Sequence, residues 1–579
     1  MRAAATVSSQ KQGFVGGLTV GKTLFWCGAA LLPALVIGVF FLYPVLSLFA
    51  RGFSDLSGFV AALEKGRTLQ VVGQTLLQAG SATALAVVLG VPAAYVLYCL
   101  KFPGVGVLKA VLSVPFVLPT VVVALSFNAL YGPGGPLYFL GLDGSFAVVV
   151  FALTFFNISV ISRTVGVVWA KLDPRVVYAA YTLGASPLRA FCTLTLRQLV
   201  PAIGSAASLV FLYCATSFGI VLILGGRKYA NLEAEIYENA VRYIDLETAT
   251  ALSLVQIVIV IAALFAANLL RRRGETLQLA EPARKTLRTP GAKLLLVYVL
   301  VTFGVLQLAP LAALVLRSLT VKGAFSLHNY ASLTQPQRSF NGSALDAALL
   351  SLQSAVGAAA LTLALAVPAA LVASRKPRNR MLRTAVGLFD GFLMLPVGIS
   401  AVTLGFGLLI TMHAPFGLGV DLRSSGILIP IAQALVAQPL VLRALIPVLR
   451  GIPEADREAA RMLGAGPLRV LATIDLPLLQ RPLAVVLGFA FAVSLGEFGA
   501  TSFLVRPGIT TLPVMIGQIA SRPGHEAYGV ATAAAVLLAV ICAGVMLLSE
   551  KLLTTQRHTQ LLRLGKTPAK PQQTARRTQ

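Results

Sequence analysis

Charge is scarce in this chain of 579 residues. Asp, Glu, Lys and Arg together make up 12% of it, and only 21 residues are acidic. Hydrophobic residues make up 57%, and the mean hydropathy is +0.83. A soluble fold cannot hide that much apolar surface, which excludes an ordinary cytosolic enzyme and makes the bilayer the solvent. Cysteine is rare too: Cys27, Cys99, Cys192, Cys214 and Cys542 lie in or beside apolar runs without paired or CxxC spacing. Neither a disulfide framework nor a zinc site is expected. His328, His413, His525 and His558 share no ligand spacing, so no metal or cofactor is expected.

What is abundant is the apolar run of about 20 residues, long enough to cross some 30 Å of hydrocarbon as a helix. Twelve such runs are expected, near 24–50, 70–100, 109–131, 146–170, 203–224, 251–270, 293–316, 346–373, 385–410, 425–447, 483–505 and 528–549. The net charge of +26 would suggest nucleic acid in a soluble protein, but its distribution points elsewhere. With residues at helix ends assigned to the nearer segment, 35 of the 47 Lys and Arg fall on one side of the membrane and 12 on the other. That bias is the positive-inside rule, which puts both termini in the cytoplasm and leaves no case for a nucleic-acid partner. The excess basic charge meets anionic lipid heads.

Near the amino terminus, "VGGLTVGKT" has Gly16, Gly21, Lys22 and Thr23 at P-loop spacing. A working P-loop follows a buried strand and opens a helix in an α/β domain. Here the preceding segment is short and polar and the following one is a membrane span, so the match is an accident.

The chain repeats itself. "YAAYTLGASPLRAFCTLTLRQLVPAI" from Tyr178 aligns with "EAARMLGAGPLRVLATIDLPLLQRPL" from Glu458 at a constant offset of 280. Ala179, Ala180, Gly184, Pro187 and Arg189 fall on Ala459, Ala460, Gly464, Pro467 and Arg469. The same offset carries Phe218-Gly219 onto Phe498-Gly499 and Leu232 onto Leu512, while "GVPAAYV" from Gly90 matches "AVPAALV" from Ala366 at a slightly different one. Two homologous six-span halves are therefore expected, 24–270 and 293–550, joined by a basic linker over 271–292 and flanked by basic cytoplasmic tails at 1–23 and 551–579. The tail after Glu550 reads as disordered. Parallel halves imply a pseudo-twofold axis along the membrane normal and a pathway at their interface.

The repeated segment is a cytoplasmic loop some thirty-five residues long, far more than a connection needs. A helix such as "DREAARML" should break at Gly464 and a second short helix restart at Pro467, giving an L-shaped projection. Leu463, Leu468 and Leu471 are expected to hold it to the membrane, with Arg457, Arg461 and Arg469 left for a partner. The second copy resembles the EAA loop of prokaryotic ABC-importer permeases. That pattern is Glu-Ala-Ala, three residues, Gly, nine residues, Ile, one residue, Leu-Pro, and Glu458, Ala459, Ala460, Gly464, Ile474, Leu476 and Pro477 supply it. The first copy departs at Tyr178, Leu194 and Arg197. The resemblance implies an all-α polytopic membrane protein of the type I ABC-importer permease fold. It also implies two ATPase subunits, each receiving one loop as a coupling helix, and an extracytoplasmic solute-binding protein. The chain would do no covalent chemistry. "TSFGIVLILGG", "NLEAEIYE" and "SLGEFGATSFL" followed by "TTLP" look most like the fused ferric-iron and thiamine branch, with molybdate and sulfate permeases carrying similar text.

Candidate pathway residues are Glu497, an ionisable group in an apolar run, its repeat counterpart Ser217, and Asp390. Asn128 and Asn157 read as helix-packing glue, and Pro119 and Pro396 as kinks in equivalent helices. Glu233, Glu235, Glu238, Asp245 and Glu247 read as an external face, either for a binding protein or simply solvated. The competing function is a twelve-span carrier driven by an ion gradient. Against it, "CLKFPGVGVLK" lacks the Gly-Asp-Arg-type signature of such carriers and charges within the spans are few.

Overall fold

Hydrocarbon offers no partner for a backbone N–H or C=O, so each apolar run closes its own hydrogen bonds as a helix. The computed structural model describes residues 26–54, 56–113, 118–272, 285–287, 289–336, 342–375, 379–522 and 524–564. The P-loop-like Gly16, Gly21, Lys22 and Thr23 lie outside the described residues. In the first half, besides short helices at Leu56–Glu64 and Val105–Ser113, the helices are α1 (Trp26–Ser54), α2 (Gly66–Cys99), α3 (Thr120–Tyr131), α4 (Phe146–Trp169), α5 (Pro174–Thr182), α6 (Pro187–Ala215), α7 (Gly219–Leu224), α8 (Leu232–Tyr237) and α9 (Leu246–Leu269). The second half repeats them as α10 (Pro290–Ser318), α11 (Ala344–Ala373), α12 (Arg380–Leu393), α13 (Ala401–Thr411), α14 (Leu428–Arg450) and α15 (Glu454–Met462). There follow α16, which starts at Pro467 and ends at Leu495, then α17 (Thr501–Leu504), α18 (Leu512–Ala520) and α19 (His525–Leu564). Strands among the described residues are two-residue pairs, so the all-α expectation holds.

Nine of these helices are long and apolar enough to cross a membrane among the described residues. A tenth is the bent pair Leu468–Gln480 and Pro482–Leu495, which turns through 61°, and α3 and α13 lie in shorter apolar helices. Each of the twelve expected runs lands on one of these, but length and composition support nine or ten spans rather than twelve.

The differences have physical causes. The expected runs 109–131 and 385–410 are broken rather than kinked at their Leu-Pro steps. A helix at Val105–Ser113 precedes α3, and α12 is followed by a 3-10 turn, Leu395–Gly398, before α13. Proline has no N–H to donate and pushes the residue before it out of the helical region, so the chain restarts after it. The expected run 203–224 starts late: α6 begins at Pro187 and stops at Ala215, where Thr216–Phe218 separate it from α7. At the other end, α19 stays helical to Leu564, well into the tail read as disordered. Within the linker, Lys285–Thr286 pairs in parallel with Leu100–Lys101.

Three apolar clusters organise the packing. One gathers around Phe127 and Phe155 of the first half with Ala313 of the second, one around Leu404 and Leu442 of the second half with Ile37 and Phe41 of the first, and one draws on both halves across the axis. The spanning cluster holds Phe218 and Leu232 together with Phe406, Phe498 and Leu512. The outer helices are exchanged: α1 packs on α13 of the second half, and the Ala309–Ser318 part of α10 packs on α3 of the first. Phe218 and Phe498, equivalent in the repeat, stack on each other with ring centroids 5.0 Å apart, so the pseudo-twofold axis passes between them.

At one crossing the approach is close enough to require glycine. A Cβ on Gly405 of α13 would lie 2.7 Å from Ala500 Cα and 2.8 Å from its carbonyl oxygen, both backbone atoms that cannot swing away. Gly405→Ala is expected to destabilise the protein by about 1–3 kcal/mol through overpacking, read as an earlier thermal transition of the detergent-solubilised protein.

Candidate functional site

α6 begins at the repeated loop and runs away from it, so residues after its end lie toward the opposite end of the bundle. There the chain does not continue as a plain helix in either half, and the repeated halves solve the resulting problem in parallel. The N–H of Leu232 at the start of α8 donates to Thr75 Oγ1 at 2.9 Å, and that of Leu512 at the start of α18 donates to Ser351 Oγ at 2.7 Å. Asn231 Oδ1 accepts the N–H of Ala234, and its Nδ2 donates to the Ser217 carbonyl at 2.7 Å. In the second half Glu497 does this work: its two carboxylate oxygens accept the N–H groups of Ala500 at 2.7 Å and Thr501 at 2.9 Å, which caps α17.

Between these breaks, on the axis, lies a cavity of about 300 Å³, at the small end of the ordinary range for solute sites. Its wall takes Asn128, Tyr237, Glu238 and Tyr243 from the first half and Phe498 and Tyr528 from the second. Tyr237 is held by Phe218 at 5.2 Å and, edge-on, by Phe503 at 5.5 Å. Glu238 pairs with Arg242 at 3.0 Å, and Glu235, also in the wall, with Arg67 at 2.6 Å. Arg227 and Arg242 also line it and match its two carboxylates in charge, so what the wall offers a solute is chiefly its aromatic faces.

Of the sequence-derived pathway residues, Glu497 and Ser217 stand beside this cavity rather than in its wall. Glu497 is buried one residue behind Phe498, and Ser217 is buried with its carbonyl engaged. Asp390 is remote: on α12 it pairs with Arg450 at 2.9 Å, and Arg450 also holds the Ala373 carbonyl at the loop end of the bundle. Asn157 behaves as expected of packing glue, donating to the Leu153 carbonyl and Cys214 Sγ. Asn128 instead faces the cavity.

The acidic segment is a correction. Glu233 is fully buried and Glu235 is 8% exposed, so neither belongs to an external face. Glu233, outside the spanning helices, accepts from Gln256 Nε2 at 2.7 Å and from Ser400 Oγ of the second half at 2.9 Å. Burial pushes its carboxyl up to about 8. The wall aromatics Tyr237, Tyr243 and Tyr528 were not singled out from sequence. A signal was present, since Tyr237 and Tyr243 are interleaved with the acidic run.

Both loops close alike. In the first, Leu183 N–H bonds the Ala179 carbonyl, Ala185 N–H bonds that of Ala180, and Gly184 has φ +80. In the second, Leu463 bonds Ala459, Ala465 bonds Ala460, and Gly464 has φ +82. Left-handed glycine after the helix is the common C-terminal cap. The second helix of each loop is not short: from Pro187, and from Pro467, it runs through a π-type turn into α6 or α16. Glu458 and Ala459 are exposed, as are Leu463 and Leu468 at the tip. Leu471 and Ile474 pack on the second-half core, Leu476 is half-buried, and Pro477 lies at the start of Leu476–Leu495. Arg457, expected to face a partner, has a side chain 3% exposed and is fully engaged internally.

Residues 349–552 match the family described as binding-protein-dependent transport system inner membrane component. The chain is 27% identical to a probable ABC transporter permease protein, y4fN, of Sinorhizobium fredii, over 94% of this chain and 98% of that protein. It is 26% identical to the thiamine transport system permease protein ThiP of Brucella suis, over 94% and 96%. The crystal structure of a bacterial ABC transporter that imports the acidic polysaccharide alginate aligns over 46% of this chain and 98% of that chain, at 16% identity with a TM-score of 0.34.

Two outcomes are expected. Glu497→Ala strands two buried N–H groups and costs about 1–3 kcal/mol, seen as a lowered melting temperature. For Glu233, the folded carboxyl stays protonated up to about pH 8, whereas the unfolded one ionises near its ordinary value. The unfolded state thus binds fewer protons between these limits, so stability falls as pH rises through that window and levels above it. Glu233→Gln should flatten this part of the melting-temperature profile between pH 5 and about pH 8.

Proposed function

Since the chain belongs to the multi-pass inner-membrane permease components of binding-protein-dependent ABC importers, we propose that it forms the whole translocation pathway in one polypeptide. Two homologous halves, 24–270 and 293–550, each carrying the other's outer helix, rock about the Phe218–Phe498 stack, and the cavity beside that stack holds the solute at the interface. The loops around Gly184 and Gly464 each meet one separate ATPase subunit, whose ATP-driven closure reorients the halves. The chain itself performs no covalent chemistry. Both termini and both loops are cytoplasmic, and the cavity opens toward the face that receives a solute-binding protein.

The observation that carries this reading is the coincidence of two features on one chain: glycine-capped loops that close with the same bonds in both halves, and an aromatic-walled cavity lined by both halves beside the Phe218–Phe498 stack. The substrate we favour is thiamine, a cation with two aromatic rings, on the strength of the thiamine permease relatives and of the aromatic faces of Tyr237 and Tyr243 in the wall.

Uptake of labelled thiamine by vesicles carrying the full transporter tests it, with labelled ferric iron as the comparison solute. Tyr237→Ala should cut thiamine uptake at least about tenfold, the loss of one aromatic–cation contact in a desolvated site, with unchanged membrane abundance. Uptake equal to wild type would remove the cavity from the pathway. Gly464→Leu forces a branched side chain into a left-handed backbone. The permease should still insert and ATPase co-purification should fall; undiminished co-purification would refute the docking role.

A further inference from the structure

The two loops are alike at their tips and unlike at their roots. In the second half the side chain of Asp475, at the end of the π-type turn that leads into α16, is 0% exposed. Its Oδ1 accepts Arg457 Nε of α15 at 2.9 Å, and its Oδ2 accepts Arg375 Nη2 at 2.6 Å. Arg457 goes on to the Leu449 carbonyl at the end of α14, at 3.0 Å, and to Glu454 at 3.1 Å. Arg375 follows the end of α11, and its guanidinium lies 4.8 Å from the ring centre of Trp26 in α1. One buried carboxylate thus ties the loop helix to the ends of three spans. A charge in such a place is tolerable only because both neighbours are positive and aligned, and removing one member leaves the others uncompensated.

The first half has none of this. Repeat offsets put Val177 at the place of Arg457, Thr195 at that of Asp475 and Cys99 at that of Arg375. Its loop root rests instead on rings: Tyr95 to Trp169 at 5.1 Å and Trp169 to Phe191 at 5.8 Å. These rings border a cavity of about 380 Å³ that also takes Val177, Tyr181 and Thr195. Stacked rings around an open space have room to slide; a buried ion triad has one arrangement.

We propose that Asp475 is a positioning residue that latches the second loop rigidly to α11, α14 and α1, so that the ATPase stroke enters the permease chiefly through the second half while the first loop yields. The proposal rests on the reading of the loops as ATPase contacts. Its first test does not. Leu183 and Leu463 are equivalent tip residues of equal exposure, 88% and 89%, so a spin label at either, in a variant without the native cysteines, reports on the root alone. In the solubilised full chain the label at position 463 should be the less mobile, and Asp475→Asn should raise its mobility to that at 183. Equal mobility in the parent, or no change on Asp475→Asn, overturns the latch.

The second test uses the complete transporter in vesicles and reads solute moved per ATP hydrolysed. Asp475→Asn should lower that ratio at least about fivefold, the lower end of ordinary coupling between sites. Asp475→Glu should restore part of it, and Thr195→Val in the first loop should leave it within about twofold of the parent. Should the Asn variant fail to assemble, the apolar triple variant Arg375→Met, Arg457→Met, Asp475→Leu keeps volume without stranding a charge. Loss of coupling in that variant supports the latch, whereas a parental ratio shows the triad to be packing alone and overturns it. A parent complex that moves no solute refutes the transport reading, while the label mobilities still decide the latch.

Discussion

Inside a bilayer an unpaired backbone group has nowhere to turn, and that constraint shapes every irregular feature of this protein. The helices can break near the axis, after Ala215 and Leu495, only because side chains close the exposed groups: Asn231 and Thr75 in one half, Glu497 and Ser351 in the other. The breaks in turn let short helices turn inward and line a cavity that uninterrupted spans would fill. An acidic residue in an apolar run need not meet solute; here Glu497 makes an opening in the bundle possible by serving main-chain donors.

The two halves share what the mechanism needs twice and differ where it does not. Loop closure by the Ala179 and Ala180 carbonyls is reproduced by Ala459 and Ala460 with the same bonds and the same glycine conformation. The Phe218–Phe498 stack is the same residue meeting itself across the axis. The side chains that fix the roots are not shared: rings on one side, the Asp475 triad on the other.

Membrane character, the repeat and the loops were legible because each is written in a periodic or punctuated signal: apolar length, a constant offset, a glycine four residues after a pair of alanines. Helix breaks were half legible. Pro119 and Pro396 announced themselves, but as kinks, since a sequence does not reveal whether neighbours will satisfy the freed carbonyls. The breaks after Ala215 and Leu495 carry no proline at all and depend on caps contributed by distant residues such as Thr75 and Ser351. Glu233 was misjudged for the same reason: five acidic residues within fifteen positions look solvated, and nothing local discloses that Gln256 and Ser400 wait to receive one of them. Arg457 looked available because its partner, Asp475, lies in the next helix and its second anchor in the previous one.

The contact between Glu233 and Ser400 occurs once, because the repeat offset that carries Leu232 onto Leu512 puts Pro513 where Glu233 would recur. In a transporter assembled from two identical subunits, any substitution arrives in duplicate and must suit both sides of the twofold. Covalent fusion lifts that restriction. Each half can then drift separately, one specialising in gripping and the other in giving way, without a second gene having to be kept in step.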